Sequence, residues 1–203
     1  MAEELVTGNV YNKYHSRNPI ARKLVRGFLQ QLRTCVESLT SVRSILSVGC
    51  GEGYLAHFVS ELSPGINVWA VDIDAGIIAQ ARAMFPTVNF LVADICALPW
   101  KDDSFDLVIA AEVLEHLRHP DNALAELARV TRQHLLASVP NEPLWRFLNC
   151  LRGSYIGALG NTPGHVQRWN AANFKDFIGT QFTVASLTTP LPWIMVVGEK
   201  NTQ

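Results

Sequence analysis

Leu46-Ser47-Val48-Gly49-Cys50-Gly51-Glu52-Gly53-Tyr54-Leu55 joins an apolar run to a helical pattern through three closely spaced glycines. On its amino side, Ser44 to Val48 has the short apolar character of a buried strand. On its carboxyl side, Leu55, Phe58, Val59 and Leu62 repeat at i, i+3, i+4 and i+7 and stop before Ser63-Pro64-Gly65, so a helix follows directly. Glycine tolerates positive φ and lets a ligand lie against bare backbone. A glycine loop at the carboxyl end of a first strand sits where open α/β sheets bind nucleotides. The spacing separates two kinds of nucleotide. A dinucleotide fingerprint, Gly-x-Gly-x-x-Gly, needs its third glycine at position 54, where this chain has Tyr54 after an earlier Gly53. A pyrophosphate cradle is disfavoured, and with it a nicotinamide-dependent oxidoreductase.

Outward from this unit, short apolar runs continue to alternate with stretches of helical period, which argues for a parallel sheet with crossover helices. Pro19 opens an expected first helix with Ile20, Leu24, Phe28 and Leu32 on one stripe, and Arg22, Lys23 and Arg26 turned away. Asn67 to Val71 reads as a second strand, followed by a helix from Ala75 with Ile77, Ala81, Met84 and Phe85 inward. Val88 to Val92 and Phe105 to Ala110 are further strands. Leu124, Leu127, Ala128 and Thr131 mark the buried side of a helix that leads to a fifth strand at His134 to Val139. Between residues 140 and 168 the period breaks into an aromatic and glycine-rich insertion, which reads as a cap. Asn170 then caps a helix with Phe174, Phe177 and Ile178 inward and Gly179 at its end. The last strands, Phe182 to Leu187 and Trp193 to Glu199, are separated by too few residues for a crossover and must pair antiparallel. The fold class is α/β: a mostly parallel seven-stranded sheet with an antiparallel last strand and helices on both faces.

Composition limits what such a fold can do. The 203 residues suffice for one domain with a sizeable core, and 48% are hydrophobic. A net charge of -1 gives no overall field to gather nucleic acid or an anionic membrane. No apolar run approaches the roughly 20 residues of a spanning helix, and no signal peptide is evident, so a cytoplasmic protein is expected. Cys35, Cys50, Cys96 and Cys150 form no Cys-x-x-Cys pair and read as buried free thiols. The expected organisation is a single domain over 1–203, with an N-terminal helical flap over 1–35 and a substrate cap inserted at 140–168.

Asp72 ends the second strand 21 positions after Gly51. That is where an acid that grips ribose hydroxyls is expected, since a carboxylate can accept both sugar hydrogens. Asp94 admits two readings, a ligand for a base amino group or a turn acid introducing Ile95 to Trp100.

With Ala-Val-Asp-Ile-Asp, Ala-Asp-Ile-Cys-Ala-Leu-Pro-Trp and Phe-Asp-Leu-Val-Ile-Ala-Ala-Glu-Val-Leu-Glu-His following the glycine loop in order, the chain from Ile45 to Lys200 resembles the class I S-adenosylmethionine-dependent methyltransferases. It is most similar to type 11 and ubiquinone-pathway enzymes acting on small molecules. The resemblance implies a Rossmann-like fold and S-adenosylmethionine as cofactor. It places Gly49 and Gly51 along the methionyl end, Asp72 on the ribose, and Asp94 with the Ile95 backbone on the adenine. Gly53, Ile73, Ala111, Glu112 and Tyr14 complete the implied contacts. Tyr11, Lys13, Tyr14 and Arg17 would form a flap over the cofactor or an amphipathic lead-in.

Glu112, Glu115 and His116 stand at i, i+3 and i+4 and would share a face on a helical turn. Two carboxylates and an imidazole can hold a divalent cation, Mg or Mn where oxygen dominates, with His165 of the insertion as a fourth ligand. A similar Glu-x-x-Glu-His with a downstream histidine holds a metal in ubiquinone-pathway O-methyltransferases and in enzymes that modify the ends of small RNAs. Without metal, Glu112 would touch the cofactor, Glu115 would cap or pair on the surface, and His116 would pack or act as a general base; His116, Glu115 and His165 are the candidate catalytic residues. The family's amine-methylating motif, Asp or Asn before Pro-Pro and an aromatic, is replaced here by Ala110-Ala111-Glu112-Val113. Hydroxyl or carbon acceptors are therefore favoured over amines, with O-methylation leading. His57, His119 and His134 read as structural.

Leu144, Trp145, Phe147, Leu148, Leu151, Tyr155, Ile156 and Leu159 give the insertion an apolar surface suited to a hydrophobic acceptor, a homodimer interface or a bilayer surface. Arg146, Arg152 and Arg168 are interleaved with them, yet nucleic acid is an unlikely partner for a neutral chain without an RNA-binding module. A methyltransferase-like scaffold without catalysis is the remaining alternative, opposed by Gly49, Gly51, Asp72 and Asp94 all being in place.

Overall fold

The computed structural model describes residues 18–62, 64–142, 144–145 and 165–201. Its helices are α1 (Pro19–Ser38), α2 (Tyr54–Leu62), α3 (Ala75–Met84), α4 (Pro120–Val130) and α5 (Ala171–Gly179). Its strands are β1 (Ser44–Val48), β2 (Asn67–Asp72), β3 (Asn89–Val92), β4 (Phe105–Ala111), β5 (Thr131–Pro140), β6 (Phe182–Thr188) and β7 (Trp193–Lys200). The seven strands form one sheet in the order β3-β2-β1-β4-β5-β7-β6. β1 to β5 run parallel, and β7 is antiparallel to both its neighbours. The expected α/β class and the antiparallel final pair are both present.

Alternating side chains send each central strand into two cores. Leu46, Val48, Val108 and Ala110 face one side with Leu124 and Leu127 of α4 and Phe174 and Ile178 of α5. Ile45, Leu107 and Ile109 face the other with Phe28 and Leu32 of α1, Leu55 and Val59 of α2, and Ile78 of α3. Both faces of the central strands are dry, as parallel strands require. Each fully buried Leu, Ile or Phe contributes about 1.5–3 kcal/mol relative to exposure.

The amino ends of β1 and β4 are pinned by Asp106. Its carboxylate accepts from the backbone N–H groups of Arg43 and Ser44, the Ser44 hydroxyl, Gln133 and Arg132. Burial pushes this acid up, but the Arg43 amide, the Ser44 hydroxyl and Arg132 outweigh it and hold Asp106 below the usual carboxylate range.

Several sequence expectations are corrected. In α1 the inward face is Val25, Phe28, Leu32, Cys35 and Val36, while Ile20 is 69% exposed. The first turn is capped by Asn18, whose Oδ1 accepts from the Ile20 and Ala21 amides. In α3 the buried residues are Ile78 and Ala81, with Met84 exposed and Ile77 and Phe85 only half-buried. The adjacent isoleucines leave the pattern ambiguous, and the close approach of Ala81 to Gly53 decides it. Thr131 is the first residue of β5 rather than the end of a helix, and its hydroxyl closes α4 by donating to the Leu127 carbonyl at 2.6 Å. Cys35 is buried, but Cys50 is half-buried and Cys96 exposed, so the thiols are not uniformly interior. Cys150 lies outside the described residues, as do Tyr11, Lys13, Tyr14, Arg17 and the insertion residues Arg146, Phe147, Leu148, Leu151, Arg152, Tyr155, Ile156 and Leu159. Of the expected 1–35 flap, the described part is α1, which belongs to the core. No described helix is long and apolar enough to cross a membrane.

Candidate functional site

The strand registers bring five carboxyl ends to one edge of the sheet. Val48 pairs with Val71 on one side and Ala110 on the other, Asp72 with Val92, and Ala111 with Ser138. The last residues of these strands and the loops that follow them carry every described residue expected at the site except His165, which returns to the same edge.

The glycine loop after β1 is set by backbone geometry. Gly49, Gly51 and Gly53 have φ of 58°, 52° and 84°, the left-handed region that favours glycine. Two of them also need their missing side chain. A Cβ on Gly49 would lie 2.4 Å from Cγ2 of Val113, and one on Gly53 would lie 2.6 Å from Phe90. The loop is tied to β2, since the Cys50 amide donates to the Val71 carbonyl at 2.9 Å. Burial first, and then the Asp72 charge, push the Cys50 thiol above its ordinary range, which disfavours its thiolate.

Asp72 is the centre of this half of the site. Its side chain is buried, with Oδ2 accepting from the Gly51 amide at 2.9 Å and Oδ1 from the Asp74 amide at 3.1 Å. Each oxygen has a second lone pair left for a ligand hydroxyl. Ile73 beside it is 45% exposed, an apolar side chain held at the mouth. After β3, Asp94 is exposed, and its Oδ1 accepts from the Cys96 amide at 2.8 Å. Both sequence readings of Asp94 are thus compatible, because one oxygen closes the turn and the other remains. Ile95 is buried beneath that turn. Arg129 of α4 fixes the segment beyond it by donating to the carbonyls of Leu98 and Trp100, with Glu126 and Asp102 holding the guanidinium.

The other half follows β4 and β5. The chain beyond Ala111 does not form the helical turn expected to align Glu112 with Glu115 and His116. Glu112 has φ of 56°, its amide donates to the Ser138 carbonyl, and only Leu114–His116 forms a single 3-10 turn. Left-handed backbone at Glu112 re-aims the chain, so the sequence spacing does not become a shared face. Instead, Glu115, His116 and His165 each bring one candidate ligand atom within 4.8 Å of the others. Glu112 is not part of that group.

Long-range contacts place His165. The Val166 and Gln167 amides both donate to the Glu115 carbonyl, at 2.8 and 3.0 Å, and the Gln167 side chain donates to the Leu117 carbonyl. The imidazoles of His116 and His165 meet edge to face with centroids 5.1 Å apart. Glu142, which sequence reasoning missed, stands behind His165. Its Oε1 lies 2.8 Å from His165 Nδ1, and both side chains are almost wholly buried. The available signal was an acid two residues beyond the end of β5, at the sheet edge where such folds keep their ligands. Half-buried Trp145 lies 6.4 Å from the His165 ring, the described edge of the aromatic insertion.

Comparison with known proteins bears on the domain and the fold. Residues 46–135 match the family model described as "Methyltransferase domain". A probable S-adenosylmethionine-dependent methyltransferase of Mycobacterium tuberculosis is 37% identical over 103 residues, 50% of this chain and 37% of that protein. A demethylmenaquinone methyltransferase of Renibacterium salmoninarum is 31% identical over 102 residues, 49% of this chain and 42% of that protein. The matched stretch thus covers less than half of each curated relative. Among solved structures, the PH0226 protein of Pyrococcus horikoshii superposes with a TM-score of 0.73 at 16% identity, covering 95% of this chain and 97% of that one. Magnesium protoporphyrin IX methyltransferase from Synechocystis, with bound SAH, gives 0.69 at 21% identity over 93% of this chain and 91% of that one. At these identities the superpositions speak for the fold. Residues 46–135 are thus similar to a methyltransferase domain, and the seven-stranded sheet around them shares the fold of the superposed structures.

Proposed function

We propose that the protein transfers a methyl group from S-adenosylmethionine to a hydroxyl oxygen of a small, largely apolar acceptor. The observation that carries this reading is the buried Asp72 carboxylate, held by the Gly51 and Asp74 amides beside three left-handed glycines. This donor set fits an adenosine-bearing ligand. The donor, when bound, supplies a methyl carbon made electrophilic by its sulfonium. The remaining Asp72 lone pairs would accept from the ribose hydroxyls, with Ile73 flanking the nucleoside. Asp94 and the Ile95 backbone would take the adenine, and Gly49, Gly51 and Gly53 leave room for the methionyl part. Ala111 and Glu112 at the end of β4 would close the pocket.

The second half of the site handles the acceptor. An acceptor hydroxyl gives its proton to an imidazole nitrogen of His116 or His165 while its oxygen bonds to the methyl carbon. S-adenosylhomocysteine would be the leaving group, its sulfur taking the electrons of the C–S bond as the C–O bond forms. The enzyme's main contribution is alignment of the oxygen with the C–S axis, because positioning alone can supply about 7–11 kcal/mol of a barrier. The demethylmenaquinone methyltransferase relative supports a small-molecule acceptor, and the aromatic insertion beginning at Trp145 suits an apolar one.

Calorimetric titration with S-adenosylhomocysteine, with NAD as comparison, tests the reading. Saturable binding of the first alone supports it and justifies an acceptor screen. Binding of neither by folded protein favours a scaffold without catalysis.

One arrangement favours a metal-assisted variant of the same reaction. Glu115, His116 and His165 present two imidazoles and one carboxylate, a set that suits zinc or another transition ion better than Mg. Four-coordinate ligands lie ~3.4 Å apart at ~2.1 Å bond lengths, so a separation of up to 4.8 Å would have to contract. The bound ion would polarise the acceptor oxygen. Turnover that survives a chelator rejects it.

A further inference from the structure

We propose that Glu142 is a positioning residue, which fixes His165 in the Nδ1–H tautomer and so presents an unprotonated Nε2 toward Glu115 and His116. The inference rests on the methyl-transfer reading for its purpose, but its geometry stands on the contacts themselves.

Glu142 Oε1 and His165 Nδ1 lie 2.8 Å apart, with side chains only 5% and 6% exposed. An ionised carboxylate can only accept, so the shared hydrogen belongs to Nδ1. In a neutral imidazole the second nitrogen then carries the lone pair, and the hydrogen bond at one nitrogen decides the chemistry of the other. One ring nitrogen of His165 lies within 4.8 Å of ligand atoms of Glu115 and His116, and with Nδ1 occupied by Glu142 the nitrogen left free to act on that group is Nε2. It is the unprotonated form that can accept a proton or ligate an ion.

The backbone holds both partners to the same frame. Glu142 donates its amide to the Trp169 carbonyl at 3.1 Å, and Asn141 bridges to Trp169. From the other side, the Val166 and Gln167 amides clamp the Glu115 carbonyl. The imidazole is therefore fixed along two directions, by Glu142 through the ring and by the 3-10 turn through the adjacent chain. The second Glu142 oxygen, Oε2, is buried without a hydrogen-bond partner among the described residues. A carboxylate that orients an imidazole needs only one of its oxygens.

The test is the tautomer of His165, read from the side-chain nitrogen resonances of nitrogen-15-labelled protein in chelator at a pH where the ring is neutral. The His165 signals are assigned by their loss in His165→Gln. Expected in the native protein is a protonated Nδ1 with an unprotonated Nε2. Glu142→Gln, whose amide oxygen still accepts, should retain that pattern. Glu142→Leu fills the same space without an acceptor and should lose it, giving mixed or reversed tautomers. An unprotonated Nδ1 in the native protein, or a Glu142→Leu spectrum like the native one, overturns the proposal. The native result decides even if the Leu variant fails to fold. Titration of the same samples with S-adenosylhomocysteine separates the two readings. No binding by native protein defeats methyl transfer while the tautomer result still stands on its own.

Discussion

Gly49→Ala tests whether the cofactor loop is fixed by packing as well as by conformation. The added methyl would sit 2.4 Å from Val113 Cγ2 and 2.8 Å from Val113 Cβ, far inside van der Waals contact, at a φ of +58°. Left-handed backbone costs a non-glycine residue about 1–2 kcal/mol, and overpacking in a tight core adds about 1–3 kcal/mol. Together they predict a loss of roughly 2–5 kcal/mol, a large share of the about 5–15 kcal/mol typical of a folded domain. The midpoint of thermal unfolding should fall by roughly 5–15 °C. Urea unfolding measures the difference directly, with Gly27→Ala as the control. Gly27 lies inside α1 with nothing within 4 Å of its missing Cβ, so that change should stabilise by about 0.5–1 kcal/mol. Because the displaced neighbour is Val113, a Gly49→Ala, Val113→Ala double variant should recover part of the loss, with a coupling of about 0.5–3 kcal/mol. A Gly49→Ala protein as stable as the native one, or additive behaviour in that cycle, refutes the close packing of the loop on the end of β4.

Asp72→Asn should weaken S-adenosylhomocysteine binding by on the order of tenfold to a hundredfold, since bonds to a charged group contribute about 1.5–3 kcal/mol; unchanged affinity in calorimetry would remove Asp72 from the site. If an ion is used, His116→Ala and His165→Ala should each abolish chelator-sensitive turnover while leaving cofactor affinity within about twofold, read by paired activity and binding assays. Arg129→Met should expose the acid dependence of the Asp94 segment. The Arg129 guanidinium holds Glu126 and Asp102 below their usual range, so their contribution is present above the unfolded carboxylate pKa values and lost as pH falls through the folded ones. Below about pH 4 the native protein should therefore lose stability more steeply than Arg129→Met; parallel stability curves would contradict the ion-pair account.

Legibility in the sequence tracked how locally each feature is determined. β1 was readable to the residue because an apolar run is cut by glycines whose φ values the structure shows to be positive. The antiparallel last pair followed from a connection too short for a crossover. The buried face of α3 was not readable. Ile77 and Ile78 are both apolar, and the choice between them was made by Ala81 packing beneath Gly53 on another element. Glu112 failed for a related reason. Its spacing to Glu115 and His116 fits a helix, but β4 extends to Ala111 and pairs there with Ser138, and the chain leaves the strand through a left-handed residue. A periodicity argument presumes regular backbone, and strand ends at ligand sites are where backbone is least regular.

The same contrast divides the site itself. The half that would hold the nucleoside is built from contacts close in sequence, or between neighbouring strands, such as Asp72 to Asp74 and Asp72 to Gly51. Residue types at fixed offsets suffice to specify it, which is why a motif could announce it. The half that would act on the acceptor is built from residues such as Glu142 and His165, 23 positions apart, and Leu117 and Gln167, 50 positions apart. Nothing in the local sequence of Glu142 marks it as a partner for an imidazole, and its pairing exists only because the chain returns from the insertion along the end of β5. In the proposed reaction the first half would fix the methyl donor and the second half the acceptor. The identity of the acceptor should therefore be sought in substitutions between Glu142 and His165 and at Glu115 and His116. Exchanging those positions between relatives should move acceptor choice while cofactor affinity stays unchanged. A swap that altered cofactor binding and acceptor choice together would show that the two halves are not separable.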